Sequence, residues 1–227
     1  MSVPGMNSVG PRFLYLHGFA SGPGSFKGVR TTEHFAARGV EIERLDLRLP
    51  SFEHLRASAM IERVGEAIGG PQDRAVVFGS SLGGYVASRV AERDPRVCAL
   101  VLLAPAFRLF SRWRARLGEE AWRAWEETGW LEVDDHAEKR RGRVDFGFAR
   151  EVESLDAADG GFPDVRVPTL IVHGTRDDTV DVGASRDFAA GKRHVRLVEV
   201  DDGHELVASL PVILREAERH LAWFLGG

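Results

Sequence analysis

A serine, an aspartate and a histidine occur in this sequence in an order that suits nucleophilic catalysis. Ser81 is the central residue of Gly-Ser-Ser-Leu-Gly at residues 79–83, which matches the pattern G-x-S-x-G. A serine hydroxyl is a weak nucleophile at neutral pH, so it needs a base to take its proton and a third group to orient that base. The pattern therefore directs the search to a histidine and a carboxylate further along the chain.

The surroundings of Ser81 favour an exposed nucleophile. Residues 75–78 form an apolar run typical of a buried strand, and residues 84–92 are predicted to be helical. A nucleophile on a sharp strand-to-helix turn needs glycines beside it, because side chains at those positions would collide with neighbouring backbone. We therefore predict that Ser81 is the nucleophile. Ser80 is the competing serine, and a glycine-rich turn without chemistry is the alternative interpretation.

His204 is the histidine best placed to act as the base. It lies in Asp-Gly-His-Glu at residues 202–205, directly after a predicted strand. An imidazole can take and return a proton near neutral pH, as this role requires. Other histidines lie where structural roles are more common: His34, His54 and His220 in helical stretches, His136 and His194 in polar loops, and His173 at the end of a strand.

The orienting acid is expected after a strand end, between the serine and the histidine. Residues 173–180 occupy that place and contain two adjacent aspartates, Asp177 and Asp178. The order serine, aspartate, histidine matches one known triad arrangement and differs from the orders of chymotrypsin-type and subtilisin-type proteases. We predict Asp177 as the orienter, with Asp178 as the alternative. Asp201 and Asp202 are expected to shape the loop that presents the histidine.

Two backbone N–H groups are candidates for an oxyanion hole, which stabilises the charge that develops on a carbonyl oxygen. Leu82 follows the predicted nucleophile, and Phe19 lies in His-Gly-Phe at residues 17–19, at the end of the first predicted strand. The loops after parallel strands gather at one edge of a sheet, so both groups are expected near the serine. An ordinary turn is the alternative for residues 17–18.

Alternating strands and helices must position these residues. Parallel neighbours need crossover connections and both sheet faces must be covered, so the alternation predicts an α/β fold with a mostly parallel sheet flanked by helices. The predicted strands are residues 12–16, 40–45, 75–78, 98–103, 169–172 and 195–200, and the predicted helices include residues 31–38, 55–68, 84–92 and 206–224.

One tryptophan-rich stretch interrupts this alternation. Residues 108–148 hold four of the five tryptophans, and we predict a small cap inserted after the fourth strand, within a single domain. Helical spacing covers residues 109–127, and a hairpin is predicted from residues 130–134 and 143–148 around residues 136–142. A peripheral helix that only packs on the domain is the alternative. The expected pocket residues of a cap, which favour a hydrophobic acyl or aromatic group, are Phe107, Leu109, Phe110, Trp113 and Trp130.

The composition argues against several other classes of protein. The 227 residues are 44% hydrophobic and 28% charged, as expected for a globular domain rather than a disordered or fibrous chain. The 30 basic and 34 acidic residues are mixed along the chain and give a net charge of −4, so we expect no nucleic-acid partner. The single cysteine, Cys98, cannot form an internal disulfide or a cysteine metal site.

Signals for membrane, export and cofactor binding are missing from the sequence. No apolar run is long enough to suggest a membrane span, and residues 1–11 lack the pattern of a secretory signal, so we expect a cytoplasmic protein. Neither H-E-x-x-H nor a strand followed by G-x-G-x-x-G occurs, so we predict no metal and no dinucleotide cofactor. The oligomeric state stays open between monomer and homodimer.

Four motifs together resemble a known family. Residues 16–19 (Leu-His-Gly-Phe), 79–85 (Gly-Ser-Ser-Leu-Gly-Gly-Tyr), 173–177 (His-Gly-Thr-Arg-Asp) and 203–205 (Gly-His-Glu) look like those of the small bacterial esterases of the YqiA/YcfP type, in the α/β-hydrolase superfamily. The resemblance covers nearly the whole chain. It implies the α/β-hydrolase fold, a triad of Ser81, Asp177 and His204, and hydrolysis of a carboxylic ester or thioester of a small or acyl substrate without a cofactor.

Two other classes of function stay open. The same fold hosts acyl transfer, peptide cleavage and carbon–carbon bond hydrolysis, because a fold does not fix a substrate. A chain that used the pocket only to hold a ligand would be a non-catalytic binding module. The presence of all three triad residue types favours catalysis over binding.

Overall fold

The fold is built around a sheet of six parallel strands. A computed structural model describes residues 10–226, so residues 1–9, which form most of the segment considered for a secretory signal, lie outside the described residues. The strand order is β2-β1-β3-β4-β7-β8, and β5 and β6 form a separate antiparallel hairpin. The strands are β1 (Arg12–Leu16), β2 (Ile42–Leu45), β3 (Ala75–Ser80), β4 (Val97–Leu103), β5 (Trp130–Asp135), β6 (Arg140–Asp145), β7 (Thr169–Gly174) and β8 (Val195–Val200).

Helices cover both faces of the six-stranded sheet. Residues of α1 and α7 pack on one face, and residues of α2, α3 and α6 pack on the other. The helices are α1 (Phe26–Ala36), α2 (Ala57–Ile68), α3 (Leu82–Arg93), α4 (Leu109–Thr128), α5 (Gly147–Ala157), α6 (Val182–Ala189) and α7 (Leu210–Leu221), which continues into a 3-10 turn at Ala222–Leu225. The predicted α/β fold with a parallel sheet flanked by helices is confirmed.

Burial on both faces explains the continuous apolar runs of the central strands. Successive side chains of a strand point to opposite faces, so a strand covered on both sides needs apolar residues at every position. Val77 and Leu102 join the core under α2 and α3, whereas Phe78 and Val101 join the core under α1 and α7. The sheet therefore separates two hydrophobic cores and holds its carboxyl edge rigidly.

Two helices begin four or more residues away from their predicted first residues. α1 begins at Phe26 instead of residue 31, and its early glycine, Gly28, is needed because a Cβ there would lie 2.9 Å from the Tyr15 ring. The last helix begins at Leu210 instead of residue 206, because Leu206 has a positive φ of 53° and residues 208–209 form a turn. Both differences come from local backbone geometry that apolar spacing does not encode.

The chain leaves the six-stranded sheet after β4 and returns to it at β7, and we call residues 104–168 between them the insertion. It contains α4, the β5–β6 hairpin and α5. A hairpin forms where one was predicted. Its second strand begins at Arg140 rather than at the predicted residue 143. Charged residues form the strand because the ribbon is exposed, and Arg141 pairs across it with Asp134 at 2.8 Å. Residues 147–148, predicted as strand, begin α5 instead.

A buried ion network ties the insertion to α3. The Arg89 side chain is only 1% exposed, and its guanidinium donates to Asp156 Oδ1 at 2.9 Å and also to Asp159. The Tyr85 hydroxyl donates to the same Asp156 oxygen at 2.9 Å, and Asp156 Oδ2 accepts the N–H of Phe110 at 3.0 Å. Asp156 therefore links α3, α4 and α5.

We expect Asp156→Ala to lower the free energy of unfolding by about 1.5–3 kcal/mol, because it removes a charge-assisted hydrogen bond from the buried Arg89, which keeps Asp159 as a partner. The Tyr85 hydroxyl and the Phe110 N–H would also lose their acceptor. Urea denaturation followed by tryptophan fluorescence measures the change. Asp164→Ala is the matched control, since Asp164 and its partner Arg166 are 62% and 83% exposed, and it should leave stability nearly unchanged. Equal losses in both variants would contradict a role for the buried network.

Candidate active site

Ser81 lies on a strained turn between β3 and α3. Its backbone has φ 52° and ψ −114°, a combination that few residues other than glycine adopt. A Cβ at Gly83 would lie 2.2 Å from the carbonyl oxygen of Leu16, and a Cβ at Gly79 would lie 2.4 Å from the carbonyl oxygen of Gly83. Both glycines of the G-x-S-x-G motif are therefore required by the close approach of backbone.

The predicted serine, histidine and aspartate lie in one hydrogen-bonded row. Ser81 Oγ is 3.1 Å from His204 Nε2, and His204 Nδ1 is 2.8 Å from Asp177 Oδ2. When Nδ1 donates its proton to the carboxylate, Nε2 carries a lone pair and can accept the proton of the serine hydroxyl. The structure thus brings together three side chains that the sequence separates widely.

Asp177 is buried and held from several sides. Its Oδ1 accepts the N–H groups of Thr179 at 2.9 Å and Val180 at 2.7 Å, and its Oδ2 lies 3.2 Å from Nε2 of His173 in addition to its bond with His204. Burial alone would raise the pKa of Asp177, but the interactions with His173, His204 and Val180 outweigh burial and hold the pKa well below its usual value. The carboxylate therefore stays charged and fixed in direction.

The neighbouring aspartate does not take this place. Asp178 is exposed, and its carboxylate accepts a hydrogen bond from the Thr179 hydroxyl at 3.2 Å instead of from the histidine. The turn after β7 directs Asp177 inward, so its successor points to solvent. Of the two alternatives left by the sequence, the structure brings Asp177 to His204.

Asp202 fixes the loop that carries the histidine. Its Oδ1 accepts the N–H of Gly203 at 2.8 Å, and its Oδ2 accepts the N–H of Ser209 at 2.8 Å. Asp201 is exposed and pairs with Arg176 at 2.7 Å. The expected loop-shaping role therefore agrees with the contacts of Asp202 more than with those of Asp201.

Lys27, in the first turn of α1, binds the backbone of the loop that carries His204. Its Nζ donates to the carbonyl oxygen of Glu205 at 3.0 Å and to that of His204 at 3.5 Å. Burial lowers the pKa of Lys27, and the ion pair with the Glu205 carboxylate at 3.5 Å acts against this effect. These hydrogen bonds link α1 to the backbone at residues 204 and 205.

The two residues predicted to form an oxyanion hole, Phe19 and Leu82, line the same cavity as Ser81. Within residues 10–226 neither of their backbone N–H groups donates to a protein acceptor, so both are available to a ligand. The loop of Phe19 is fixed by His17, whose Nδ1 donates to the Gly18 carbonyl at 2.9 Å while Nε2 accepts the N–H of Leu47 at 3.0 Å. Burial lowers the pKa of His17, which keeps the imidazole neutral for this pair of bonds.

A cavity of about 750 Å³ opens at Ser81 and His204. Three aromatic rings, those of Phe19, Trp113 and Phe148, form one wall, and their centroids are 5.0 to 6.5 Å apart. Trp113 comes from α4 and Phe148 from α5, so the insertion supplies most of this wall. The volume and the apolar wall are typical of a site for a small organic ligand.

The five residues predicted to line the pocket separate into two groups. Phe107, Leu109 and Trp113 line the cavity, whereas Phe110 and Trp130 lie outside it. The prediction therefore needs correction at two positions.

Helix geometry and an exposed ribbon explain these two positions. Phe110 follows Leu109 directly, and one residue along a helix turns the side chain by about 100°, so Phe110 packs against Trp122 at a centroid distance of 5.3 Å. Trp130 begins β5 and stacks under the guanidinium of Arg143, which lies 4.0 Å from its ring centroid. Both aromatic residues hold the insertion together rather than face the cavity.

Three residues beside the triad were not predicted from the sequence: His173, Lys27 and Arg112. His173 precedes Asp177 by four residues at the end of β7, and this spacing is the signal that could have identified it. A hydrogen bond of 2.8 Å between its Nδ1 and the Ser185 hydroxyl fixes the ring beside the Asp177 carboxylate. Lys27 and Arg112 carry no such signal, because their partners are backbone carbonyls far away in the sequence.

Residues 10–226 contain neither a membrane-spanning helix nor a cluster of metal ligands. In this range no helix is both long enough and apolar enough to cross a membrane. No group of three or more histidine, cysteine or acidic side chains converges there in the manner of metal ligands. The expectations of a cytoplasmic location and of catalysis without a cofactor stay predictions.

Solved structures with the same architecture come from several organisms. Mouse alpha/beta hydrolase domain-containing protein 10 has 20% sequence identity and a TM-score of 0.75. The alignment covers 93% of this chain and 90% of the mouse chain. Est1E from Butyrivibrio proteoclasticus has 22% sequence identity and a TM-score of 0.72. The alignment covers 96% of this chain and 89% of Est1E. A monoacylglycerol lipase from Paleococcus ferrophilus matches 96% of each chain, with 16% identity and a TM-score of 0.72. These similarities establish the α/β-hydrolase fold.

Sequence comparisons place the chain in a family. A search of curated protein sequences finds no significant match. A family model described as an uncharacterised protein family, UPF0227, matches residues 12–213, which include the strand before Phe19, the Ser81 turn and the His204 loop. Since this range covers most of the 227 residues, the chain belongs to UPF0227, the YqiA/YcfP-type family that its motifs resemble.

Proposed function

We propose that this protein is a serine hydrolase that cleaves carboxylic ester or thioester bonds through an acyl-enzyme intermediate. The observation that carries the proposal is the row formed by Ser81, His204 and Asp177, with separations of 3.1 and 2.8 Å, at the end of a cavity. A base within hydrogen-bond distance activates the hydroxyl, and the acid behind it orients the base. The strained backbone of Ser81 supports the same assignment, because strain of this kind is concentrated at functional sites.

In the first half of the reaction, Ser81 Oγ attacks the carbonyl carbon while His204 Nε2 takes the hydroxyl proton. The carbonyl oxygen becomes an oxyanion, and the N–H groups of Phe19 and Leu82 are the donors we propose for it. Collapse of the tetrahedral intermediate breaks the bond to the alcohol or thiol, which leaves with the proton that His204 returns. An acyl group then remains on Ser81.

In the second half, water releases the acyl group by the same route. His204 takes a proton from the water as its oxygen attacks the acyl carbon, and the proton returns to Ser81 Oγ when the carboxylic acid leaves. Asp177 stabilises the protonated imidazole in both halves without taking its proton. Its low pKa suits this role, since a carboxylate that stays ionised keeps its charge beside the imidazolium.

We further propose that the insertion acts as a cap within a single α/β-hydrolase domain. Trp113 and Phe148 supply an apolar wall at the cavity, which favours a hydrophobic acyl or aromatic group on a small-molecule substrate. A solved structure of Est1E, which shares the fold, has ferulic acid, an aromatic carboxylic acid, bound to it.

A fluorophosphonate probe tests the proposal because it reacts with activated serines. We expect one probe molecule per chain, located by mass spectrometry on Ser81, together with hydrolysis of p-nitrophenyl esters in a series from acetyl to palmitoyl. Heat-denatured protein is the control, because denaturation separates the serine from His204. A folded protein that neither reacts with the probe nor hydrolyses any ester would contradict catalysis and favour the binding module.

A further inference from the structure

The cavity face of α4 carries two arginines beside its aromatic residue. Leu109, Arg112, Trp113 and Arg116 follow the spacing of one helix face, and all four line the cavity with Ser81. Arg112 lies against the loop that holds the triad acid, because its guanidinium donates to the carbonyl oxygens of Thr179 at 3.2 Å and Asp181 at 3.4 Å. The insertion therefore presents positive charge as well as apolar surface to the site.

Neither arginine has a carboxylate partner within residues 10–226. The two bonds of Arg112 to carbonyl oxygens leave three of its five N–H groups available. Arg116 is exposed to the cavity mouth and forms no ion pair in the described part of the chain. Arg114, between them on the outer face of the helix, is different, because it pairs with Glu119 at 2.9 and 3.1 Å.

The other charged side chains that line the cavity pair among themselves, and these pairs leave one negative charge over. Lys27 pairs with Glu205 at 3.5 Å, and Arg141 pairs with Asp134 at 2.8 Å and Glu132 at 3.5 Å. The two arginines of α4 are the lining cations that form no ion pair in the described part of the chain. The four positive and three negative side chains of the lining give it a net charge of +1, with the unpaired cations on the α4 side.

The position of Arg112 makes this lack of a counter-charge costly. Its side chain is partly buried, and burial lowers the pKa of Arg112, although the negative charges of Asp181 and Asp177 act against this effect. A guanidinium out of water is stabilised by a carboxylate or phosphate, which its planar N–H groups bind in pairs. A ligand with such a group would complete the site.

We infer that Arg112 and Arg116 form a subsite for an anionic group, a carboxylate or a phosphate, on the ester or thioester that Ser81 attacks. This inference rests on the proposed function and narrows its substrate class to molecules that combine a negative group with an apolar part. The apolar part lies against Trp113 and Phe19, and the negative group lies beside the guanidinium groups of Arg112 and Arg116.

Two matched pairs of substrates test the inference and identify the anionic group. p-Nitrophenyl hydrogen adipate and p-nitrophenyl hexanoate have acyl chains of equal length and differ by a terminal carboxylate. The butanoyl thioesters of 4′-phosphopantetheine and of pantetheine differ by one phosphate on the leaving group. We expect the native protein to prefer the anionic member of at least one pair by about tenfold in kcat/KM, since charge-assisted hydrogen bonds are worth this much. The responding pair shows whether carboxylate or phosphate is recognised.

The double variant Arg112→Gln with Arg116→Gln should remove this preference. The ratio of kcat/KM between the anionic and the neutral member should fall about tenfold, and Arg112→Lys with Arg116→Lys should restore part of it because the charge is kept. Arg114→Gln is the matched control on the same helix and should leave the ratio unchanged. Equal losses for both members of a pair, or no preference in the native protein, would overturn the inference.

A binding experiment separates failure of the subsite from failure of the proposed function. Isothermal titration with adipate and with inorganic phosphate needs no turnover, and at least one of them should bind the native protein and bind the double variant about tenfold more weakly. Arginine-dependent binding without fluorophosphonate labelling would contradict the hydrolase and keep the subsite. Labelling of Ser81 without any arginine-dependent preference or binding would keep the hydrolase and overturn the subsite.

Discussion

We expect replacing Ser81 by alanine to lower kcat for p-nitrophenyl esters by roughly 10⁵-fold or more, because the proposed covalent catalysis loses its nucleophile. The neighbouring groups cannot compensate, since His204 and Asp177 only move and stabilise a proton that belongs to the serine hydroxyl. Residual turnover would come from substrate binding and the proposed oxyanion donors. The measurement is the initial rate of p-nitrophenolate release, corrected for the rate without protein.

Ser80→Ala is the matched control for this experiment. Ser80 is the adjacent residue of the same motif, but it is buried at the end of β3 and takes no part in the hydrogen-bonded row. We expect it to lose less than about tenfold in kcat, since it removes only a buried hydroxyl. Turnover that survives in Ser81→Ala would contradict the nucleophile assignment. Turnover lost only in Ser80→Ala would move that assignment to the neighbouring serine.

The parallel sheet could be predicted because its strands are buried on both faces. Val76, Val77 and Phe78 are all inaccessible to solvent or nearly so, and such a strand appears in the sequence as an unbroken apolar run. The exposed β5–β6 hairpin has no such run, since one of its strands is Arg-Arg-Gly-Arg-Val-Asp. Its charged residues looked like a loop, and only cross-strand pairing shows where the return strand begins.

The serine and the histidine could be predicted because their signals are local. Ser81 has its two glycines in the motif, and His204 follows a strand within a short polar loop. The choice between Asp177 and Asp178 could only be stated as a preference, because both follow the same strand. It depends on which carboxylate the turn directs inward, and the N–H groups of Thr179 and Val180 decide this by binding Asp177.

The cavity wall was the least predictable part of the site. Helical spacing selects Leu109, Trp113 and Arg116 once α4 is placed against the cavity, but the sequence does not say which face of the helix points there. Tryptophans are good core residues as well as good ligand contacts, and Trp122 is buried inside the insertion. The aromatic content therefore indicated a packed insertion, but it did not show which aromatic residues form the core of the insertion and which line the cavity.

Asp177→Asn will lower kcat by roughly 10⁴-fold, close to the loss expected when the orienting acid of a triad becomes an amide. The asparagine amide is neutral and lacks the negative charge that attracts the Nδ1 proton of His204. The imidazole therefore favours the tautomer with its proton on Nε2. That tautomer cannot accept the proton of Ser81, which lies 3.1 Å away. The imidazolium formed during attack also loses its counter-charge.

Asp178→Asn makes the same chemical change one residue later and should cost less than about threefold in kcat, because this carboxylate is exposed and bonds only to Thr179 among the described side chains. Near-UV circular dichroism of both variants excludes unfolding as the cause of a loss. The rate of fluorophosphonate labelling provides a second measure, since it reports activation of Ser81 without substrate binding. If Asp178→Asn lost the greater part of kcat and of the labelling rate, the assignment of Asp177 would be wrong, and the charge beside His204 would have to come from a rearranged loop.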